Sequence, residues 1–478
     1  MGEEIDAIEF SKQDFKNYAQ HLQDETSLLA KWFSTNQLSS HPAKAGFELE
    51  VWIVDKEANP APLNDSFLKK LNNTLVSPEL SRFNIELNGA PEYLHSKALS
   101  KLHASLEKSW QHCFTTSNIF DASLVMIGIL PSVTSKQLVL KNMSKMKRYF
   151  ALNKQVLAQR KDKPLTLDIA GKDHLKTTHY DVMLESATTS FQLHWQIPID
   201  ESVRAYNASI IASAATVAIS ANSPYFFEKD LWDETRIPLF EQAVEVGGFN
   251  DAAFGPIKRV SFGSDYARES LMEVFQENIA HYPVLLPVEY NDAPEQLKSL
   301  RLHNGTIWRW NRPLIGFDEV THQPHVRIEH RVIAAGPTIA DGIANAAFYY
   351  GIANYLKNLN SAPELELPFS TAKDNFYKAA KSSLHANVKW LGGYTGKMKT
   401  LLEQQLIPQA ETGLRQMKIS EDDIALYMGI IKQRINNEQH GANWLRHYKE
   451  KHACSMQQLT AAYAEQQNTG KPVHTWPL

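Results

Sequence analysis

Hydrophobic and polar residues alternate with a period of two in four stretches of this chain. Each stretch predicts a β-strand with one apolar and one polar face. In the first, GFELEVWIVD, Phe47, Leu49, Val51 and Ile53 fall on one face and Glu48, Glu50 and Trp52 on the other, over roughly 46–54. In 83–88, Phe83, Ile85 and Leu87 oppose Asn84, Glu86 and Asn88. In 189–197, Phe191, Leu193, Trp195 and Ile197 oppose Ser190, Gln192, His194 and Gln196. In 326–332, Val326, Ile328, His330 and Val332 oppose Arg327, Glu329 and Arg331, which makes His330 structural. Residues 122–130, ASLVMIGIL, are apolar throughout and predict a central strand, and 165–169 alternate briefly.

Helical spacing governs most of the rest. Phe15, Tyr18, Leu22, Leu29 and Trp32 recur behind Ser11 and Asp14, which are spaced as a capping box. Helices are predicted over 95–120, 338–358, 370–387, 420–436 (with Ser420 as cap) and 441–465. The alanine-rich run 206–220 reads as a buried core helix, too often interrupted by polar residues to span a membrane, and Asn222 and Pro224 end it. Strands in the first two-thirds and helices in the last third predict an α+β fold. No linker or repeat divides the chain. It reads as one domain over 1–478: an N-terminal helical segment (1–40), a sheet-forming core (44–357) and a C-terminal helical extension (358–478).

Composition narrows the function classes. With 49 basic and 53 acidic residues, a net charge of −4 excludes the electrostatic footprint of a nucleic-acid or anionic-membrane binder. Two cysteines, Cys113 and Cys454, exclude a disulfide framework and a cysteine metal cluster; both are expected as buried thiols in a reducing compartment. The N-terminus, MGEEIDAIEF, is acidic and lacks the apolar stretch of a signal peptide, so a cytoplasmic location is expected.

The candidate chemistry lies on the four polar faces. Antiparallel sheets with one wet side alternate in this way without any function. Two details point to a site instead. Glu48 and Glu50 place like charges side by side, an arrangement a cation stabilises. Arg327, Glu329 and Arg331 set a carboxylate between two guanidiniums. Hard oxygen donors without cysteine favour Mg²⁺ or Mn²⁺, which complete their shells with water and phosphate. There is no Walker A motif: GGYTGK at 392–397 lacks its spacing and reads as a turn between helices. A nucleotide would therefore be held by metals and side chains on a sheet.

Five pieces in order, GFELEVWIVD, PELSRFNIELN, TSFQLHWQI, ISANSPYFF and HVRIEHRVIAAGPTIADGIANAAF, resemble the second group of the glutamate–cysteine ligase family, the carboxylate–amine ligases. The resemblance covers roughly residues 44–357. It implies a glutamine-synthetase-like fold: a curved antiparallel funnel of strands, packed with helices, with metals on the concave face. It implies metal ligands at Glu48, Glu50, Glu86 and Glu329, with Glu79 as a further acidic position. Arg331 is implied beside the nucleotide phosphates, Arg236 on the amino-acid substrate, and Arg309 and Arg312 at nucleotide or substrate contacts. Where much of the family has a histidine ligand on the third strand, this chain has Gln192, as plant-type members do, with His194 two residues on. The implied reaction is an ATP- and Mg²⁺-dependent ligation of glutamate to an amine such as cysteine, through an acyl phosphate. A phosphotransferase on the same sheet and a non-catalytic nucleotide-binding relative are the competing readings.

Overall fold

The strand that carries Glu48 and Glu50, β1 (Lys44–Val54), runs through the middle of the main sheet. The computed structural model describes residues 4–35, 37–246 and 258–478. Seven further strands complete the sheet: β2 (Val76–Pro78), β3 (Asn84–Asn88), β4 (Glu92–Tyr93), β5 (Ser123–Val125), β6 (Phe191–Gln196), β7 (Asn311–Phe317) and β8 (Pro324–His330). Their order is β7-β8-β6-β1-β3-β2, with β4 and β5 pairing β1 off this path, and every pairing is antiparallel. The sheet curls into a half-barrel, as the α+β funnel expectation requires. The four alternating segments are β1, β3, β6 and β8. Their polar faces share one side of the sheet, but that side is largely buried.

Helices cover the apolar side. The alanine-rich helix spans Ser202–Ser220, and all of it except Val203 and Arg204 is buried. A helix apolar all round must lie inside a protein or a membrane, and here it packs against the helix Ile339–Lys357. Its serines return their hydroxyls to the carbonyls four residues back, Ser209 to Ala205 and Ser213 to Ser209, each at 2.8 Å. The first helix, Lys12–Ser34, starts with the expected capping box at Ser11 and Asp14. The helix Ile407–Gln416 crosses Ile339–Lys357 at two glycines. A Cβ on Gly413 would sit 1.9 Å from the Gly351 carbonyl oxygen, so the C-terminal helices dock on the core backbone to backbone.

Several expectations are corrected. Of the apolar run 122–130 only Ser123–Val125 forms a strand, and it lies off the main path. The remainder is buried, and its backbone finds other partners: Met126 N–H donates to the Gln467 side chain and Gly128 N–H to the Asn222 carbonyl. The helix expected over 441–465 is two, Gly441–His452 and Met456–Asn468. Ala453 breaks it in the left-handed region, and Ser455 and Gln458 form a capping box for the second. The helix expected over 370–387 ends at Ser382. GGYTGK belongs to a hairpin pairing Asn387–Lys389 with Thr395–Lys397, and Gly392 and Gly393 take φ of 68° and 69° in its turn. Residues 165–170 pair with 174–179 in a ribbon outside the main sheet. Cys113 is buried and Cys454 half-buried, both as free thiols.

Candidate active site

Strand register brings the acidic residues together. β1 pairs β3 with Glu50 opposite Glu86, and β8 pairs β6 with Glu329 opposite His194. β7 pairs β8 with Arg312 opposite Glu329. Glu79 reaches the same face from the turn between β2 and β3. The result is a cavity of about 340 Å³, within the size range of small-molecule sites. Its wall includes Glu48, Glu50, Glu79, Glu86, Gln192, Arg312, Glu329 and Arg331.

The acids and the histidine fall into two groups. Ligand atoms of Glu48, His194 and Glu329 all lie within 4.8 Å of one another, and so do those of Glu50, Glu79 and Glu86. In the first group cations compensate the charge. His194 Nε2 stands 3.3 Å from Glu48 Oε1. Burial would raise Glu48, but the imidazole and Arg327 hold it well below the usual carboxylate range. Arg312 grips Glu329 with two hydrogen bonds of 2.9 Å, and Arg331 adds an ion pair at 3.3 Å. Against the cost of burial, these two guanidiniums pull Glu329 down to about 2.

The second group is under-compensated. Burial, then repulsion from Glu79, pushes Glu50 up to about 7. Burial, then Glu48 and Glu79, pushes Glu86 well above the carboxylate range, and Glu86 Oε2 is buried without a hydrogen-bond partner among the described residues. Glu79 is also raised by burial, with Arg148 opposing. Three carboxylates around an orphaned oxygen fit a hard divalent cation, whose charge would relieve all three. The first group, two carboxylates and an imidazole, offers a mixed oxygen and nitrogen set.

Gln192 stands between the groups. Its Nε2 donates to Glu50 Oε1 at 2.8 Å, and its Oε1 accepts from Arg331 Nη1. Ser190 N–H donates to Glu50 Oε2 at 2.6 Å. Gln192 thus bridges Glu50 and Arg331, and the histidine two residues along belongs to the first group. Three expected residues stand outside the cavity wall: His194, which meets Glu48 at its edge, Arg236 and Arg309. Arg236 pairs with the buried Glu234 at 3.2 Å and donates to the carbonyls of Arg331 and Val332, so it braces the strand exit behind Arg331. Arg309 is held by Asn278 Oδ1 at 2.6 Å and Glu277 at 3.1 Å. His330 bonds Thr216 and Asn311 and stacks on Tyr349 at 4.0 Å, as a structural residue would.

The cavity also holds Arg148, Tyr149, Glu185 and Arg301, which were not singled out from the sequence, together with Arg327. Glu185 and Arg148 lie where no period-two pattern marks them, in a 3₁₀ turn (Val182–Ala187) and in the first turn of the helix Lys147–Gln159. Arg327 was visible on the polar face of the β8 segment.

Residues 44–462 match the profile of glutamate–cysteine ligase family 2. No individual curated protein matches the sequence. Among solved structures, glutamate–cysteine ligase from Francisella tularensis, determined with AMP, is similar in fold with a TM-score of 0.56 and 12% identity, over 92% of this chain and 96% of that one. A bifunctional glutathione synthetase from Pasteurella multocida aligns with a TM-score of 0.50 and 10% identity, over 92% of this chain and 53% of that one. A profile match over most of its length, on a half-barrel with two acid groups on its inner face, places this chain in glutamate–cysteine ligase family 2, a family of ligases.

Proposed function

We propose that the protein is an ATP- and Mg²⁺-dependent carboxylate–amine ligase, with Mn²⁺ as an alternative ion, joining the γ-carboxylate of glutamate to an amine such as cysteine. The observation that carries this reading is the pair of acid groups side by side in one cavity, with guanidiniums lining the same wall. A ligation of this kind transfers a phosphoryl group to a carboxylate oxygen, and the amine then displaces phosphate at the carbonyl carbon. Both steps concentrate negative charge, so positioning and electrostatic stabilisation supply most of the rate.

Divalent ions held by Glu48, His194 and Glu329, and by Glu50, Glu79 and Glu86, would neutralise phosphate charge and polarise the transferring group. The protein's own residues do the rest. Arg312 fixes the Glu329 carboxylate from two sides. Gln192 ties Glu50 to Arg331, so a carboxylate and a guanidinium hold a constant spacing across the cavity. Arg331 Nε is buried and unpartnered among the described residues, leaving a donor for an anion in transfer. Arg236 keeps the Arg331 backbone in place through its carbonyl.

The protein is to be incubated with ATP, Mg²⁺ and glutamate, with and without a panel of amines, while ADP and new amide are followed. Amine-dependent amide is the expected result. ADP with a stable phosphorylated acceptor would make it a phosphotransferase, and nucleotide binding without turnover a binding relative.

A further inference from the structure

A segment far from the strands in sequence reaches the acidic end of the cavity. Residues 4–10 form neither helix nor strand, and 6–9 are exposed, yet Ile5 is only 4% exposed and lines the cavity wall. Among the described residues no other before Glu48 does so. The segment lies as a strap on the helix Lys147–Gln159. That helix has no capping side chain at its own N-cap residue, Met146. Glu4 supplies the cap: its carboxylate accepts from Lys147 N–H at 3.2 Å and from Arg148 N–H at 3.1 Å. Ile5 N–H donates at 2.9 Å to the same Oε1 that Arg148 uses, which sets the isoleucine beside the first helical turn. Lys147 Nζ bonds the Asp6 carbonyl at 3.0 Å, and Lys154 pairs with Glu9 at 2.5 Å. Exposed ion pairs contribute little, so the strap is held mainly by the cap and by the burial of Ile5.

The capped helix carries Arg148, Tyr149 and Leu152 into the same wall. The Tyr149 hydroxyl donates to the Pro78 carbonyl at 3.4 Å, one residue before Glu79, and the charges of Glu79 and Glu185 both act on Tyr149. Ile5, Leu152 and the Tyr149 ring therefore make an apolar patch bordering two carboxylates. An amine arrives as an ammonium ion, which an excess of carboxylates attracts. Its side chain then meets the patch, where a charge would find no partner.

Resting on the ligase reading above, we infer that Ile5 is a specificity-determining residue of the amine subsite: its side chain limits the amine substrate to one with a small, uncharged side group. Glu4 serves the same end as a positioning residue, because its carboxylate fixes both the strap and the helix that bears Tyr149 and Leu152.

The test compares wild type with Ile5→Val, Ile5→Ala and Ile5→Trp. The reading is kcat/KM for glycine, alanine, 2-aminobutyrate, cysteine, methionine and phenylalanine as the amine, at saturating ATP, Mg²⁺ and glutamate. A methylene added to or removed from an apolar pocket changes discrimination by about 10- to 200-fold. Ile5→Ala should therefore raise methionine and phenylalanine relative to alanine by at least about tenfold. Ile5→Val, which keeps the strap docked even where Ile5→Ala loosens it, should move the same ratio in the same direction by less. Ile5→Trp should lower every amine larger than alanine. KM for ATP and for glutamate stays unchanged throughout. Ratios among the amines that do not move in any variant would overturn the inference. So would an equal loss for all amines, which would make Ile5 an anchor of the strap alone, or a change confined to the KM for glutamate, which would put glutamate against the patch. Wild type that forms no amide with any of these amines would overturn the ligase reading and this inference with it, whereas wild-type turnover with unmoved ratios overturns only the role of Ile5.

Discussion

Glu329→Gln separates the structural from the catalytic duties of the cavity. In the folded protein Arg312 and Arg331 hold the Glu329 carboxyl down at about 2, against an ordinary value of 4.5. Sign follows from linkage: a depressed carboxylate contributes stability that is fully present above its unfolded value and is lost as pH falls from 4.5 toward 2. At pH 7 the contribution is therefore complete, and 1.36 kcal/mol per unit makes it about 3 kcal/mol. Breaking a buried pair gives a similar figure, about 3–5 kcal/mol, because Arg312 stays buried with only a neutral partner. The assay is urea unfolding in a chelating buffer at pH 7, so that no metal contributes. Glu329→Gln is expected to lose about 3 kcal/mol and still fold, since a protein of this size has a larger margin. Arg312→Met with Glu329→Gln should recover part of the loss, because the stranded charge is gone. A loss below about 1 kcal/mol in the single variant, or none recovered in the double, would refute the claim that this pair is a desolvated ion pair.

Three further outcomes follow from the same geometry. Mg²⁺ binding should release protons and weaken at least about tenfold per pH unit below 7, because Glu50 sits at about 7, Glu86 is raised well above the carboxylate range, and both must ionise to accept the ion; titration in buffers of different ionisation enthalpy reads this directly, and no proton uptake by the buffer at pH 6.5 would contradict it. Gly413→Ala drives a methyl to 1.9 Å from the Gly351 carbonyl and should destabilise by about 1–3 kcal/mol, whereas Gly429→Ala, in a helix with open space at its Cβ, should be neutral or stabilise by up to about 1 kcal/mol; melting temperatures compare the two. Burial holds His303, His325 and His440 neutral at about 4 and His330 at about 3, so each makes stability fall as pH drops from 6.5 toward 4, against the opposite contribution of the raised Glu50, Glu79 and Glu86; His325→Gln should make the unfolding free energy fall less steeply between pH 6.5 and 5 than in wild type, and an identical slope would contradict it.

Much of the site was legible because its carriers are strands with one apolar face. The period of two exposed Glu48, Glu50, Glu86 and Glu329, and antiparallel pairing then set them side by side. What remained hidden depends on contacts that no local pattern encodes. Strand β7 carries Pro313 and Gly316 and a mixed run of side chains, so it does not read as a strand, yet it delivers Arg312 to Glu329. Glu185 and Arg148 arrive from a 3₁₀ turn and a helix start whose place over the sheet is tertiary. The apolar run 122–130 matches a central strand in hydrophobicity alone. Its backbone is satisfied instead by Gln467 and Asn222, both distant in sequence. Arg236 and Arg309 are cationic residues in suggestive motifs, but Glu234 and Glu277 claim them locally.

The most direct test of the ligase account uses glutamate labelled with ¹⁸O in its γ-carboxylate, together with ATP, Mg²⁺ and an accepted amine. If the carboxylate attacks the terminal phosphorus and the amine then displaces phosphate, one ¹⁸O leaves in each inorganic phosphate released, and Glu329→Gln forms none. Phosphate released without ¹⁸O, alongside amide product, would contradict the acyl-phosphate route and with it the role assigned to the paired acid groups.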